Sequence, residues 1–430
     1  MNTIDQTIEW IQTDRFKSQI NTLYGEEQLS YQLNRYQSLV SSYKQNYADG
    51  PLALFSSPGR SEIGGNHTDH NHGKVLAGSI DLDTIAAAAR VEEPVITFIS
   101  EGYPGEFKVD LTNLAPIPGE SATMSIVRGI AAGFLEFGYS IGGFNAYVST
   151  NVLSASGLSS SASFEMLFCS ILSTFYNAGA LDSIAMSKIG QYAENHYWNK
   201  PSGLLDQMAC AHGGLIAIDF ANPLTPIISP ISFDFQKNGY SLVIVNTGGN
   251  HADLTEDYGA VPYEMRAVAK ALGAEVCRGL TPNDIYDQLQ PIRQQCGDRA
   301  VLRALHYLEE NNRVDAQVES LVNGDMDRFL RLVKESGESS WKWLQNCYRN
   351  VDVGHQDITV TLAITEMFLK QLGAGACRVH GGGFAGVIAA ILPNESVSQY
   401  VSFIERTTGN ATYQIHIREY GAICLNEVMQ

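Results

Sequence analysis

The stretch Asn151-Val-Leu-Ser-Ala-Ser-Gly-Leu-Ser-Ser-Ser-Ala-Ser163 decides the fold. Ahead of it Phe144, Ala146 and Val148 alternate with other residues, the period of two of a half-buried strand. Behind it Phe164, Leu167, Phe168, Ile171, Leu172 and Phe175 recur at helical spacing, with Ser161 or Ser163 placed to cap the helix. Between them the turn holds only Gly, Ser, Ala and Leu, so no bulky side chain shields its backbone. A strand, a small-residue turn and a helix start direct free N–H groups and the positive dipole end outward, where a phosphate can sit. A serine-rich connection without a ligand is the plain alternative. No Gly-Lys-Ser/Thr closes the turn, so it is not the lysine-type phosphate loop. Hydroxyls in the lysine's place suit a Mg²⁺ ion held by a serine.

Size and composition set the surroundings of this turn. The 430 residues are enough for two domains and a large core, and 44% hydrophobic with 17% charged residues is ordinary for a globular enzyme. A net charge of −18 argues against nucleic acid and anionic membranes as partners, while a local nest with Mg²⁺ still accommodates phosphate. Seven scattered cysteines without a CxxC pair fit reduced thiols. The first residues, MNTIDQTIEWIQTDRF, lack the basic and apolar blocks of a signal peptide, and no window long enough to span a bilayer is free of charge. A cytoplasmic protein is expected.

Along the chain, residues 1–48 read as amphipathic helices, broken at Asp49-Gly50-Pro51, and Leu52 to Phe55 as a short buried strand. Ser57 to Gly73 then packs Arg60, Asn66, His67, Asp69, His70, Asn71 and His72 into a glycine-punctuated loop. Three readings stand: a metal site on His67, Asp69, His70 and His72, a solvated loop, or convergent Asp, Asn and His groups for a hydroxyl-rich ligand. DLDTIAAAARV from Asp81 and VITFISEGY read as strands at a mixed-sheet edge, and Met124 to Tyr139 as a helix. Asp206, in KPSGLLDQM, could be a helix-start carboxylate serving backbone N–H groups. Pro and Ser gather near Asn222 to Pro226, which sets a domain boundary there to within about ten residues. Beyond a strand at SLVIVNTG, residues from Met265 to about Leu372 are mostly helical, and ACRVHGGGFAGVIAAILP (Ala376 to Pro393) brings three glycines to a strand entry.

Three of these stretches together resemble the galactokinases among the GHMP small-molecule kinases. The phosphate turn resembles Pro-x-Gly-x-Gly-Leu-Ser-Ser-Ser-Ala-Ser, with Leu153 for the proline and Ala155 for the first glycine, and GLSSSAS is intact from Gly157. The second loop aligns without a gap to Gly-Arg-Val-Asn-Leu-Ile-Gly-Glu-His-Thr-Asp-Tyr-Asn. Gly59, Arg60, Gly65, His67, Thr68, Asp69 and Asn71 match; Ser61, Glu62, Asn66 and His70 depart, Asn66 standing for the glutamate. The third resembles Arg-Met-Thr-Gly-Gly-Gly-Phe-Gly-Gly, with His380 for threonine and Ala385 for glycine. Ser202 to Gln207 resembles the family's Cys-Gly-Ile-Met-Asp-Gln, and Tyr258 falls at its sugar-contacting tyrosine.

The resemblance implies an α+β, two-domain GHMP-kinase fold of mixed sheets with helices, residues 1–224 and 225–430, and an active site in the cleft between domains. It implies ATP-dependent phosphorylation of a sugar at its anomeric hydroxyl, with galactose 1-phosphate as product. Asp206 and Arg60 would be catalytic; Asn66, His67, Asp69, Gly203 and Tyr258 would bind the sugar. Gly157, Leu158, Ser159, Ser160 and Ser161 would cradle the nucleotide, and Ser161 with Glu194 would hold Mg²⁺. A monomer acting on a small sugar and ATP is expected. A kinase for a related sugar such as galacturonate stays open, because Asn66 is uncharged and His70 or His72 could carry a proton. So does a silent sugar and nucleotide sensor, although Ser161-Ala162 and Asp206 are present. Thr123 and Ile126 fall where the family's adenine-flanking Trp and Tyr stand, which predicts weakened stacking on the base.

Overall fold

The computed structural model describes residues 2–47, 50–153, 157–199, 202–249, 254–349 and 353–427. Asp49 of the expected break, Ala155 of the phosphate turn and Lys200–Pro201 lie outside the described residues. Three helices come first, α1 (Ile4–Ile11), α2 (Asp14–Tyr24) and α3 (Leu29–Asn46), the first two capped by Thr3 and Thr13 side chains. Then follow β1 (Ala53–Gly64), β2 (Lys74–Arg90), β3 (Val95–Ser100), β4 (Phe107–Asp110), α4 (Ala122–Glu136) and β5 (Phe144–Thr150). Next come α5 (Ser160–Tyr176), α6 (Ser183–His196), α7 (Leu205–His212), β6 (Leu215–Asp219) and β7 (Ile227–Ile231). After β8 (Tyr240–Asn246) the chain is helical through α8 (Thr255–Ala271), α9 (Pro282–Asp287), α10 (Leu289–Cys296), α11 (Asp298–Val322), α12 (Met326–Ser339) and α13 (Asp357–Leu372). It ends with β9 (Ala376–His380), β10 (Val387–Pro393), α14 (Val397–Thr408), β11 (Thr412–Ile415) and β12 (Ile423–Cys424).

Among the described residues two sheets form, giving an α+β, two-domain architecture. The first runs β12-β1-β2-β5-β3-β4, with β6 on the free half of β2 and β7 beside β6; the second runs β11-β8-β10-β9. Among the described residues only β3 and β5 pair in parallel in the first sheet, Phe98 facing Ala146, so it is mixed. DLDTIAAAARV lies at the centre of that sheet instead of its edge, because β2 is long enough to pair β6 from Lys74 to Gly78 and β5 from Thr84 to Arg90. Strand alternation serves two cores at once. Ala53, Phe55, Ala86 and Ala88 face α4 and α5, while Leu54, Ile85, Ala87 and Ala89 face α1–α3.

Two departures from the sequence reading bear on the site. The strand after Pro51 runs through Arg60 to Gly64, with register shifts at Pro58/Arg60 and Glu62/Gly64 that re-aim side chains as bulges do. The boundary expected near residue 224 falls inside the antiparallel β6–β7 hairpin, where Leu215 pairs Ile231.

Candidate active site

The phosphate turn ends in a residue few side chains tolerate. Ser159 takes a left-handed conformation, φ 57°, and α5 begins at Ser160 with no side-chain cap; neither Ser161 nor Ser163 fills that role. Ser163 Oγ instead donates to the Ser57 carbonyl at 2.7 Å. An uncapped helix start behind a left-handed serine leaves backbone amides for an anion. Arg60 fixes the turn from β1. Its backbone N–H donates to the Leu158 carbonyl at 3.1 Å, and its Nη1 donates to the Gly157 carbonyl.

The same guanidinium meets Asp206 in the first turn of α7. Nε and Nη2 approach Asp206 Oδ1 at 2.7 and 2.6 Å, and Ser159 Oγ donates to Oδ2. The Asp206 carboxylate joins the phosphate turn to Arg60 of the expected sugar loop, Ser57 to Gly73, and a third of the side chain is exposed. Burial alone would lower the Arg60 pKa, but Asp206 and Glu62 raise it, so the charge stays. Beside it, Asp69 Oδ2 lies over Gly203, where a Cβ would come within 1.9 Å; only glycine fits there. Burial, then the Asp206 charge, lifts Asp69 to about 6.

Ser161 Oγ and Glu194 Oε1, from α5 and α6, stand 3.5 Å apart. Gln207 Nε2 donates to Glu194 at 3.1 Å and to Glu165 at 3.0 Å, which fixes both buried carboxylates. A hydroxyl and a carboxylate are hard oxygen donors of the kind Mg²⁺ takes with substrate phosphates, so the pair fits the expected ion. Among the described residues no group of three or more His, Cys, Asp or Glu is placed to hold a metal.

Asn66, His67 and Tyr258 turn toward the glycine-rich loop. Asn66 Nδ2 donates to the Gly381 carbonyl at 2.7 Å, His67 Nε2 to that of Gly382 at 2.9 Å, and Tyr258 Oη to that of Gly383 at 3.1 Å. Close approach requires glycine at 382, since a Cβ there would meet the Tyr258 ring at 2.4 Å. The expectation that Asn66 holds a sugar hydroxyl fails on burial: its amide is inaccessible, and every hydrogen-bonding position is engaged by protein. The histidines form a relay. Asn71 Nδ2 donates to His70 Nδ1 at 3.1 Å, so His70 Nε2 carries the proton and donates to His67 Nδ1 at 3.2 Å, leaving His67 Nε2–H for Gly382. No ring nitrogen of that pair remains for a metal. Burial pushes His67 down to about 4 and lowers His70 and His72 as well, which removes the positive charge invoked for galacturonate.

Several contacts lie beyond the reach of local sequence. His380 Nε2 accepts the Glu62 backbone N–H at 3.2 Å, so its proton sits on Nδ1, against Gly157. Glu310 on α11 accepts the N–H groups of Gly65 at 3.2 Å and Asn66 at 3.3 Å. A cavity of about 230 Å³ opens beside Ser160 and Ser161, lined by Thr123 and Ile126 but also by Tyr103, Phe107, Phe164 and Trp198. Aromatic faces thus return from β4, α5 and two loops, a placement no local spacing signals.

The galactokinase galactose-binding signature matches residues 41–90, and the GHMP kinases N terminal domain matches residues 125–214. The galactokinase of Lactococcus lactis subsp. lactis (strain IL1403) is 30% identical over 374 residues, 84% of this chain and 89% of the relative. That of Lactobacillus helveticus is 28% identical over 378 residues, 85% and 92% of the two chains. The crystal structure of Lactococcus lactis galactokinase complexed with galactose superposes with a TM-score of 0.78 at 27% identity, covering 91% of this chain and 100% of that one. Methanococcus jannaschii mevalonate kinase shares the fold at a TM-score of 0.60 and 16% identity, covering 86% and 99%.

Proposed function

The chain belongs to the galactokinase family, and we propose on that footing that it transfers the terminal phosphoryl group of ATP to the anomeric hydroxyl of galactose. Galactose 1-phosphate and ADP are the products. One observation carries this reading: Asp206 stands where phosphate turn and sugar loop meet, gripped by Arg60 and Ser159 yet one third exposed. Asp206 takes the proton of the anomeric hydroxyl as the sugar oxygen attacks the phosphorus in line. Arg60 holds that carboxylate in an ion pair and faces the charge that spreads over the phosphoryl oxygens. The amides of Gly157 to Ser161 cradle the nucleotide, while Asp69, with Gly203 beneath it, and His67 and Tyr258 at the glycine-rich loop shape the sugar side. Ser161 and Glu194 would hold Mg²⁺, which when bound neutralises phosphate charge.

The aromatic-lined cavity next to Ser160 receives the purine. Trp198→Ala should then raise the KM for ATP about tenfold, within the range of roughly 1–3 kcal/mol for stacking on one base, and leave that for sugar unchanged. All seven cysteines are unbridged, which suits the reducing cytoplasm as its location. The two units expected are retained with the division moved to the turn at residues 235–239, beyond β7. An ADP-release assay over galactose, galacturonate, glucose and mannose tests the reading. Turnover on galactose is expected, and none on galactose overturns it.

A further inference from the structure

Glu62 and Asn66 meet behind the sugar loop in a buried polar node. Asn66 Nδ2 donates to Glu62 Oε1 at 2.9 Å and to the Gly381 carbonyl at 2.7 Å. Asn66 Oδ1 accepts from Asn346 Nδ2 at 2.9 Å and Ser340 Oγ at 3.3 Å. Arg378 Nη2 donates to the same Glu62 oxygen, and the Arg378 side chain also reaches the carbonyls of Ile63 and Val379. An amide has two donors and two acceptor sites, and all four are engaged. In the galactokinase signature aligned above, these two positions carry asparagine and glutamate, in that order. Here the acid and the amide are exchanged, so the pair keeps one carboxylate, one amide and one net charge opposite Arg378.

We infer that Glu62 and Asn66 are a coupled acid–amide pair that positions the sugar loop against the glycine-rich loop, and that Asn66 makes no contact with the sugar. Donor and acceptor chemistry makes the coupling strict. Asn66→Glu alone turns an acceptor-only carboxylate toward Glu62 Oε1 and the Gly381 carbonyl, adding a second buried negative charge. Glu62→Asn alone leaves buried Arg378 without its carboxylate, a costly state for a charge. Together the two changes restore both the charge and the donor–acceptor match.

The test is a double-mutant cycle on the full chain, read by melting temperature and by KM and kcat for galactose and ATP. Each single variant is expected to melt lower and to raise the galactose KM at least about tenfold, with the ATP KM within about twofold; Glu62→Asn/Asn66→Glu should return the galactose KM to within about fivefold. Additive losses overturn the pairing, and so does Asn66→Glu with unchanged melting and unchanged galactose KM. Should Asn66→Glu not fold, Ser340→Ala removes one donor to Asn66 remote from the cleft. A rise of about threefold in galactose KM is expected from it, and no rise overturns the positioning role. The kinetic arm rests on the proposed galactokinase activity. If the native chain does not phosphorylate galactose, that activity fails while the melting cycle still decides the pair.

Discussion

Asp206 accepts from a guanidinium on one oxygen and from a hydroxyl on the other, so its geometry is set before a sugar arrives. Asp206→Asn keeps a group that accepts a hydrogen bond but takes no proton. Turnover should fall by at least about a hundredfold, the scale of general-base catalysis, while calorimetry still detects sugar binding; turnover within tenfold of the native enzyme would remove the residue from the mechanism. Asp69 makes a second prediction through its pKa. Burial and Asp206 lift it to about 6, so between about pH 4 and 6 the native state holds a proton the unfolded chain has released. Stability owed to this group therefore falls as pH rises through that window. Asp69→Asn should flatten that slope and melt above the native protein at pH 7.5. Its galactose KM should still rise at least about tenfold, the size of a hydrogen bond to a charged group. A variant that melts lower at pH 7.5, or binds galactose as before, contradicts the assignment.

The sugar loop is shaped by a helix more than 200 residues away. Glu310 on α11 takes the backbone N–H groups of Gly65 and Asn66, the Ser336 hydroxyl at 2.6 Å, and Arg313. Burial alone would raise its pKa, but His306, Arg313 and Arg378 outweigh it and bring it to about 2. The stability it contributes is present above the ordinary glutamate value and lost as pH falls toward 2. Glu310→Gln should cost about 3 kcal/mol at pH 7, in the range for breaking a buried ion pair, measured by urea unfolding; a loss under 1 kcal/mol would show that the loop holds itself. This dependence explains what could be read in advance. The strand, turn and helix around Gly157 were legible because they are contiguous, and the convergence of Asp206, Arg60 and Asp69 was legible through their motifs. The occupation of Asn66, the anchor at Glu310 and the aromatic cavity were not, because each depends on partners brought in by tertiary packing. The sheet position of β2 escaped for a related reason: its length, not its composition, lets it pair two strands on one side.

Across the whole molecule the C-terminal segment returns to the first sheet. There β12 pairs the outer edge of β1, Phe55 opposite Cys424, and Arg418 joins Arg35 on the buried Asp83 carboxylate. Tyr24 and Ser56 complete that cluster, which ties α2, α3, β1 and β2 to the tail. A fragment of residues 1–236 should therefore be insoluble, with β1 left as an open edge and Asp83 short of one partner; a soluble, cooperatively melting fragment would show that the first unit stands alone. The long span from Ser56 to Arg418, 362 residues, also sets a clock for biosynthesis. At about 5–20 residues per second, β1 emerges from the ribosome roughly 20–70 s before the strand that seals it. During that interval an apolar edge and a half-neutralised carboxylate are on display, and the nascent chain has to be shielded until Arg418 and β12 appear.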